Sequence, residues 1–428
     1  MAQLYVSLMT KSPLAIRSDH ATGGSKTATT VNGSTLLGSL AAAHRMLYAD
    51  TETDNFVQLF LKGNISYPNL YPASFDLQEA HGDEMQTSHS PIYPIPKTAQ
   101  SCKRFEGFLK EFSDERHGVR DSLLDWAVFK LSDGHNVDAL RTHASCSYLR
   151  VNSKEGCGEV MDHFSGFYRR AAFVKPPYHR MTAQVDTRLL TRTGINRDRG
   201  IVEEGILYNR EVIDEGAYFW GMVKLPNRLL STFKGFVEEA GDAGLIRIGT
   251  GRTRGLGQVQ LTIHGAEDDE ISFDSFKQRL MDFDAKLRER MEYPPADKDD
   301  RFYFALTLHS PVILRDDLLR YQGTISGEVL ATYAKLSSET LRQIHQVANI
   351  ERVTGWNELW GTPRTQECAI ATGSVFLFVS TEKASEERPD ELLEKLFELE
   401  EQGIGERRAE GFGRICFSDP FHLEEDRV

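Results

Sequence analysis

The chain has 428 residues, 40% of them apolar, and a formal charge of -13. That length suits two or three domains with sizeable cores, and the composition is that of a globular protein rather than a disordered one. The charge excludes a uniformly basic, free-standing nucleic-acid binder, no apolar run approaches a membrane span, and five scattered cysteines do not form a disulfide framework.

Leu4, Val6 and Leu8 alternate with polar residues, the two-residue period of a strand. No basic region followed by an apolar block precedes them, so no signal peptide is expected, and a cytoplasmic protein with reduced thiols is the expectation. A Gly/Ser/Thr-rich loop runs from about Ser18 to Gly33. Ser34 then suits the cap of a helix whose Leu36, Leu40, Ala43 and Leu47 share a face. Residues 50–140 read as irregular, with an extended PIYPIPK stretch at 91–97. From 178 to 225 the pattern is all-β: short strands at Val185–Leu190 and Ile206–Tyr208, then a longer one at Ala217–Leu225. A helix near Pro226–Ala240 leads into a glycine-rich loop and a closing strand at Gln258–Ile263.

Ser272–Met291 reads as an amphipathic helix, with Phe276, Leu280, Phe283 and Leu287 in one stripe. Residues 293–300, YPPADKDD, break it. A second unit opens at Arg301, with a strand over Ala369–Val379 and a helix from Pro389 that Gly403 stops.

The two units repeat one pattern. Tyr5, Leu8, Ser12, Pro13, Arg17 and Asp19 match Tyr303, Leu306, Ser310, Pro311, Arg315 and Asp317 at a constant offset. Gly249, Arg252, Gly255 and Gly257 match Gly405, Arg408, Gly411 and Gly413 in the same way. Each half therefore orders strand, helix, central strands, helix and strand. The expected fold class is α+β, with two ferredoxin-like (RRM-like, β-α-β-β-α-β) domains. The expected boundaries are 1–265 with insertions over about 50–215, a helix and linker at 266–300, and 301–428.

The charge is segregated. Residues 141–200 carry eleven Lys/Arg against five Asp/Glu, while 381–428 carry seven against fifteen. A basic groove on an acidic body fits this, as does a solvated acidic surface with chance clustering.

The first glycine loop holds Gly249, Gly251, Gly255 and Gly257 with Arg252 and Arg254 and no acid. Glycines let backbone N–H groups approach an anion, and arginines fork onto phosphate oxygens. The loop runs from helix to strand, opposite to mononucleotide loops, so a polynucleotide backbone is the better ligand. A tight turn needing glycine for sterics is the alternative, more so for the second loop, where Glu406 and Glu410 accompany Arg408, Gly411 and Gly413. Between the short strands, Arg192, Thr193, Asn196, Arg197 and Arg199 make a phosphate-contacting tip, with Tyr208 nearby to stack a base. A charged hairpin that merely keeps its end in water is the alternative.

Together SPLAIRSD, NGSTLLGSLAAA, TRTGINRDRGIVEEGILYNREVI, GRTRGLG and GIGERRAEGFGRI resemble the RAMP superfamily of CRISPR-associated proteins. The double layout and the PIPKTAQSCKR segment most resemble the subunit that caps the guide RNA 5′ end in type III effectors, the type III-D version above all. The resemblance implies binding of the guide's 5′ tag, contact with backbone RAMP subunits and with the large polymerase-like subunit, and no direct DNA contact. It makes the Arg192–Arg199 tip a thumb over the guide and the glycine loops RNA contacts or buttresses, with Arg17 and Lys26 beside them. No cofactor is implied.

Two enzymatic alternatives stay open. Asp19 matches a loop aspartate that superfamily nucleases use with a metal to cut target RNA, and His20 or His44 could act as the base of a guide-processing nuclease. Asp317 repeats Asp19, which favours a shared turn role. A third reading is a scaffold that touches only proteins. Finally, His143, Cys146, Cys157 and His163 are a candidate zinc set, with unrelated buried cysteines the alternative.

Overall fold

The computed structural model describes residues 2–17, 26–49, 51–73, 91–111, 113, 115–132, 145–149, 156–170, 176, 178–195, 202–264, 272–291, 301–357, 361–380 and 389–424. Two four-stranded antiparallel sheets organise them. In the first, Val259–Ile263 pairs with Ala2–Thr10, which pairs with Tyr218–Leu225, which pairs with Tyr71–Pro72. In the second the order is Leu341–Val347, Val375–Ser380, Tyr303–Leu308 and Ile415–Phe417. Each half thus has its fourth strand beside the first and its third beside the second, with its own two helices on one face. This is the expected pair of ferredoxin-like units.

Alternation builds the first core. Leu4, Val6 and Leu8 point to one side of their strand, and Phe219, Val223 and Leu225 share that face on the neighbour. Leu36 and Leu40 of helix Gly33–Tyr48 and Phe233 and Phe236 of helix Leu230–Asp242 cover it. Each buried Leu or Phe contributes about 1.5–3 kcal/mol.

The second sheet is buried on both faces. Every residue of Tyr303–Leu308 and Val375–Ser380 is buried, which is why these strands read as continuous apolar runs. Phe304, Leu306 and Phe376 face Leu330, Leu393 and Leu396. On the opposite face, Tyr303, Ala305, Val375 and Leu377 meet Phe283 and Leu287 of helix Phe273–Arg290. Leu123, Leu124 and Leu131 of helix Leu123–Leu131 complete that cover.

That last helix corrects the irregular reading of 50–140. Its Leu123, Leu124, Ala127, Val128 and Leu131 make one buried face, but Trp126 and Phe129 make the other side apolar as well, so these nine residues show little helical period. Ile92–Pro94, Ala99–Cys102 and Val119–Asp121 are strands too short to show a two-residue period. The strand expected over Ala369–Val379 is two, Glu367–Ile370 and Val375–Ser380. Gly373 at φ +78° turns the chain between them, and Ser374 Oγ donates to the Ala371 carbonyl at 2.6 Å.

Buried and half-buried polar pairs tie the insertion to the second half and to the helix before it. His422 Nδ1 lies 2.5 Å from Asp121 Oδ2, Arg290 pairs with Asp125 at 2.8 Å, and Arg170 with Glu424 at 3.1 Å. His309 Nε2 meets Asp419 Oδ2 at 2.6 Å. Burial pushes the Asp419 carboxyl up, but the hydrogen bond and charge of His309, with Arg170 and His422, hold it well below its ordinary value.

Strands Thr187–Ile195 and Val202–Ile213 form a hairpin that projects from the first half, with Arg192 opposite Tyr208. Its base is joined to the body where Leu14 and Ile213 exchange backbone hydrogen bonds at 2.9 and 2.8 Å. Asn196, Arg197 and Arg199 at the tip lie outside the described residues.

Candidate nucleic-acid interface

The two glycine loops are one structure built twice. The Gly257 amide donates to the Pro13 carbonyl at 3.0 Å, and the Gly413 amide to Pro311 at 2.9 Å. Thr250 donates to Ala15 at 2.8 Å, and Glu406 to Ile313 at 3.0 Å. Gln258 donates to Ser12 Oγ at 2.9 Å, and Arg414 to Ser310 Oγ at 2.8 Å. The repeated Ser-Pro pair is therefore the socket of the loop, which explains its recurrence. A Cβ on Gly257 would stand 2.0 Å from the Ile248 carbonyl oxygen, and one on Gly413 the same distance from Ile404. Sterics dictate these two glycines, and Gly249, whose Cβ would meet the Ala15 oxygen at 2.3 Å, belongs with them.

What each loop presents differs. In the first, Gly251 and Gly255, both left-handed, bracket a 3-10 turn of Arg252–Arg254. A Cβ on Gly255 would meet nothing within 4 Å, so this edge of the loop is open. The Arg254 guanidinium donates to Tyr208 Oη at 3.4 Å, and Arg192 to the Arg254 carbonyl at 3.2 Å. Arg210 donates to Thr250 Oγ1 at 3.3 Å, and Arg247 to the Arg252 carbonyl at 3.5 Å. These acceptors are neutral. Among the described residues no carboxylate ion-pairs with Arg192, Arg210 or Arg254. The hairpin base and the loop thus pool positive charge beside Tyr208, which is 38% exposed.

Arg17 stands at the rim of the same region, since Ala15 caps the loop. Its guanidinium lies 4.7 Å from the ring of Trp356, which the second half contributes and which is 43% exposed. Lys26 is exposed on the returning strand of this turn, where Arg17 bridges Thr27. Thr193 lies in the hairpin opposite Leu207. Asp19 and His20 lie outside the described residues. His44 is buried among Tyr48, Phe56, Phe60 and Phe236, away from this surface, and burial lowers its pKa.

In the second loop the charge is neutralised and the backbone is occupied. Arg407 holds Glu410 at 2.8 Å and also Glu367, Arg364 holds Glu410 at 2.6 Å, and Arg315 holds Glu367 at 2.8 Å. Burial would raise the Glu410 carboxyl, but Arg407 and Arg364 hold it below its ordinary value. Arg408 donates to the Gln402 and Gly403 carbonyls at 3.3 and 3.4 Å. The loop docks on the first half: Tyr67 donates its amide to Ala409 at 3.1 Å, Ser66 Oγ to Arg408 at 3.0 Å, and Asn69 Nδ2 to Gly411 at 3.2 Å. Gly411 and Gly413 are buried in this arrangement. The second loop fastens the halves.

Arg210 and Arg247 are the interface residues that sequence reasoning passed over, while Trp356 reads from the sequence as a packing anchor more than as a base-stacking platform. Arg210 was accessible to it: it stands two residues from Tyr208 on one strand and so shares its face. Trp356 reaches the site only through tertiary packing.

The candidate zinc set is rearranged. Cys146 and Cys157 lie together, joined by Cys102 and His117. His163 is exposed beside Lys97, Trp126 and His345, and His143 lies outside the described residues. All five cysteines are free, and among the described residues no helix is long and apolar enough to cross a membrane.

No curated protein matches the chain. Among solved structures, a chain of the type III-B Cmr-beta complex bound to cognate target RNA and AMPPnP is 11% identical. The match covers 87% of this chain and 86% of that one, at a TM-score of 0.39. A chain from the same complex bound to cognate target RNA is 10% identical over 87% and 86%, at a TM-score of 0.36. A chain from its apo state is 11% identical over 62% and 98%, at 0.28. The model of the RAMP superfamily matches residues 7–260, from the first strand through the first glycine loop and into the strand that follows it, and the chain belongs to that superfamily.

Proposed function

We propose that this chain is a non-catalytic RNA-binding subunit of a type III CRISPR effector, holding the 5′ tag of the guide RNA. The RNA backbone crosses the first glycine loop and the hairpin base, where Arg192, Arg210, Arg252 and Arg254 meet phosphates and Tyr208 stacks a base. The carrying observation is the asymmetry of the duplicated loop: beside the first copy Arg192, Arg210 and Arg254 rest on neutral acceptors, while the second copy is paired with carboxylates and docked on Ser66, Tyr67 and Asn69 of the first half. The second half, whose sheet is covered on both faces and whose surface is acidic, docks the backbone RAMP subunits and the large polymerase-like subunit.

The test is the double variant Arg192→Ala/Arg254→Ala in the assembled complex, with guide affinity measured across salt concentrations. Loss of two phosphate contacts flattens the slope of log affinity against log salt by about 0.7 per contact. An unchanged affinity and slope would remove the loop from the RNA path. The same preparations, incubated with labelled target and guide precursor with and without magnesium, show no cleavage on this reading.

A further inference from the structure

Cys102, His117, Cys146 and Cys157 converge although they are far apart in sequence. One ligand atom from each lies within 4.8 Å of all the others. Cys146 Sγ is 3.5 Å from His117 Nδ1. We infer that these four side chains form a structural zinc site of the Cys3His class.

The geometry selects the ligand. A tetrahedral ion with sulfur ligands at about 2.3 Å spaces them roughly 3.8 Å apart, which fits this group. A multi-iron cluster is larger than one ion and would hold its thiolates further apart. Three sulfurs and an imidazole favour zinc over magnesium or calcium, which take oxygen ligands. Four protein donors leave no open position, so the site is structural rather than catalytic.

The scaffold is arranged around the donors. Cys102 ends strand Ala99–Cys102, and His117 precedes strand Val119–Asp121, which pairs with it. Cys146 and Cys157 lie on the two strands of a second ribbon, where the Cys157 amide donates to Tyr148 at 2.9 Å and the Gly158 amide to Cys146 at 3.0 Å. Gly158, at φ +71°, makes the turn just after the ligand cysteine. His117 is clamped between Phe105 and Tyr148, with ring centroids at 4.2 and 4.1 Å. Such packing fixes an imidazole before a metal arrives.

The local need is plain. The apolar cluster beside these ribbons is only Ile95, Ala99, Phe108, Val119, Phe164, Tyr168 and Phe421. A cluster this small gains from a metallic staple. A disulfide would use two of the three thiols and leave the third and the histidine unemployed. Zinc uses all four, releasing a proton from each thiol on binding. The site joins the two ribbons of the insertion and, through Tyr168 and Phe421, steadies the C-terminal segment.

The test is the metal content of the full-length chain, purified without a metal-affinity step. About one zinc per chain is expected, falling severalfold in Cys146→Ser and His117→Ala but not in Cys368→Ser, whose thiol lies outside the group. Because the ligand variants can misfold, cobalt exchange into the unaltered protein gives a second reading: the intense visible bands of tetrahedral thiolate-bound cobalt are expected. A folded chain that holds no stoichiometric zinc and takes up no cobalt, or one with a disulfide among the three cysteines, would overturn the site. The outcome is independent of RNA binding.

Discussion

Asn69 holds Gly411 of the opposite half by a hydrogen bond from its Nδ2 to the glycine carbonyl at 3.2 Å, while its Oδ1 accepts from the Gly33 amide at 2.7 Å. One side chain thus bonds the first helix of one half to the glycine loop of the other. It leaves no room: a Cβ on Gly411 would stand 2.8 Å from Asn69 Oδ1 and 2.9 Å from the Tyr67 carbonyl oxygen.

Gly411→Ala and Gly255→Ala should therefore differ, although they are the same position of the repeat. Both residues are left-handed, which costs an alanine about 1–2 kcal/mol. Gly411→Ala also wedges the halves apart and should lose several degrees more in melting temperature. Equal losses in thermal unfolding would place Gly411 outside a tight interface.

Trp356→Ala should weaken guide binding by about 1–3 kcal/mol if a base stacks on its exposed face. Because stacking is not a phosphate contact, the salt slope should stay unchanged, in contrast to the arginine variants. Binding titrations at several salt concentrations separate the two. A flattened slope would mean that Trp356 acts by positioning Arg17.

His44 makes a pH prediction. Burial lowers its pKa from the ordinary 6.5, so the unfolded chain binds the proton more tightly than the folded one. Stability is full above that value and declines as pH falls below it toward the folded pKa. His44→Leu should remove this part of the acid loss, read from denaturant midpoints on both sides of the ordinary value. An undiminished acid slope would mean that other groups carry it.

Asp419→Asn should destabilise the protein by about 3–5 kcal/mol, because it leaves His309 without its buried anion and Arg170 with Glu424 alone. The depressed carboxyl implies stability that is present above the ordinary carboxylate range and lost as pH falls through the folded value. The variant should lose that strongly acidic step. A cost under about 1 kcal/mol would show the network to be solvated.

The repeat was legible because its two signals are local. Ser12-Pro13 and Ser310-Pro311 are sockets, and Gly257 and Gly413 are forced by contacts to Ile248 and Ile404 close in sequence. The division of labour between the loops was not legible. It depends on Glu367, Arg364 and Tyr67, which reach the second loop only through the tertiary fold. The insertion was expected, but the strands and helix inside 91–131 were not, because the strands are too short for periodicity and the nine-residue helix carries apolar Trp126 and Phe129 opposite its buried face. Cys102 and His117 escaped notice because a strand ladder, not a short spacing, brings them to Cys146 and Cys157.

The most direct measurement is photo-crosslinking of guide RNA in the assembled complex, with the adducts located by mass spectrometry. Adducts at Tyr208, Trp356 and the 249–257 loop, carried by nucleotides of the constant 5′ end, are the predicted result. Adducts confined to the 405–413 loop, or none on this chain while neighbouring subunits crosslink, would contradict the account.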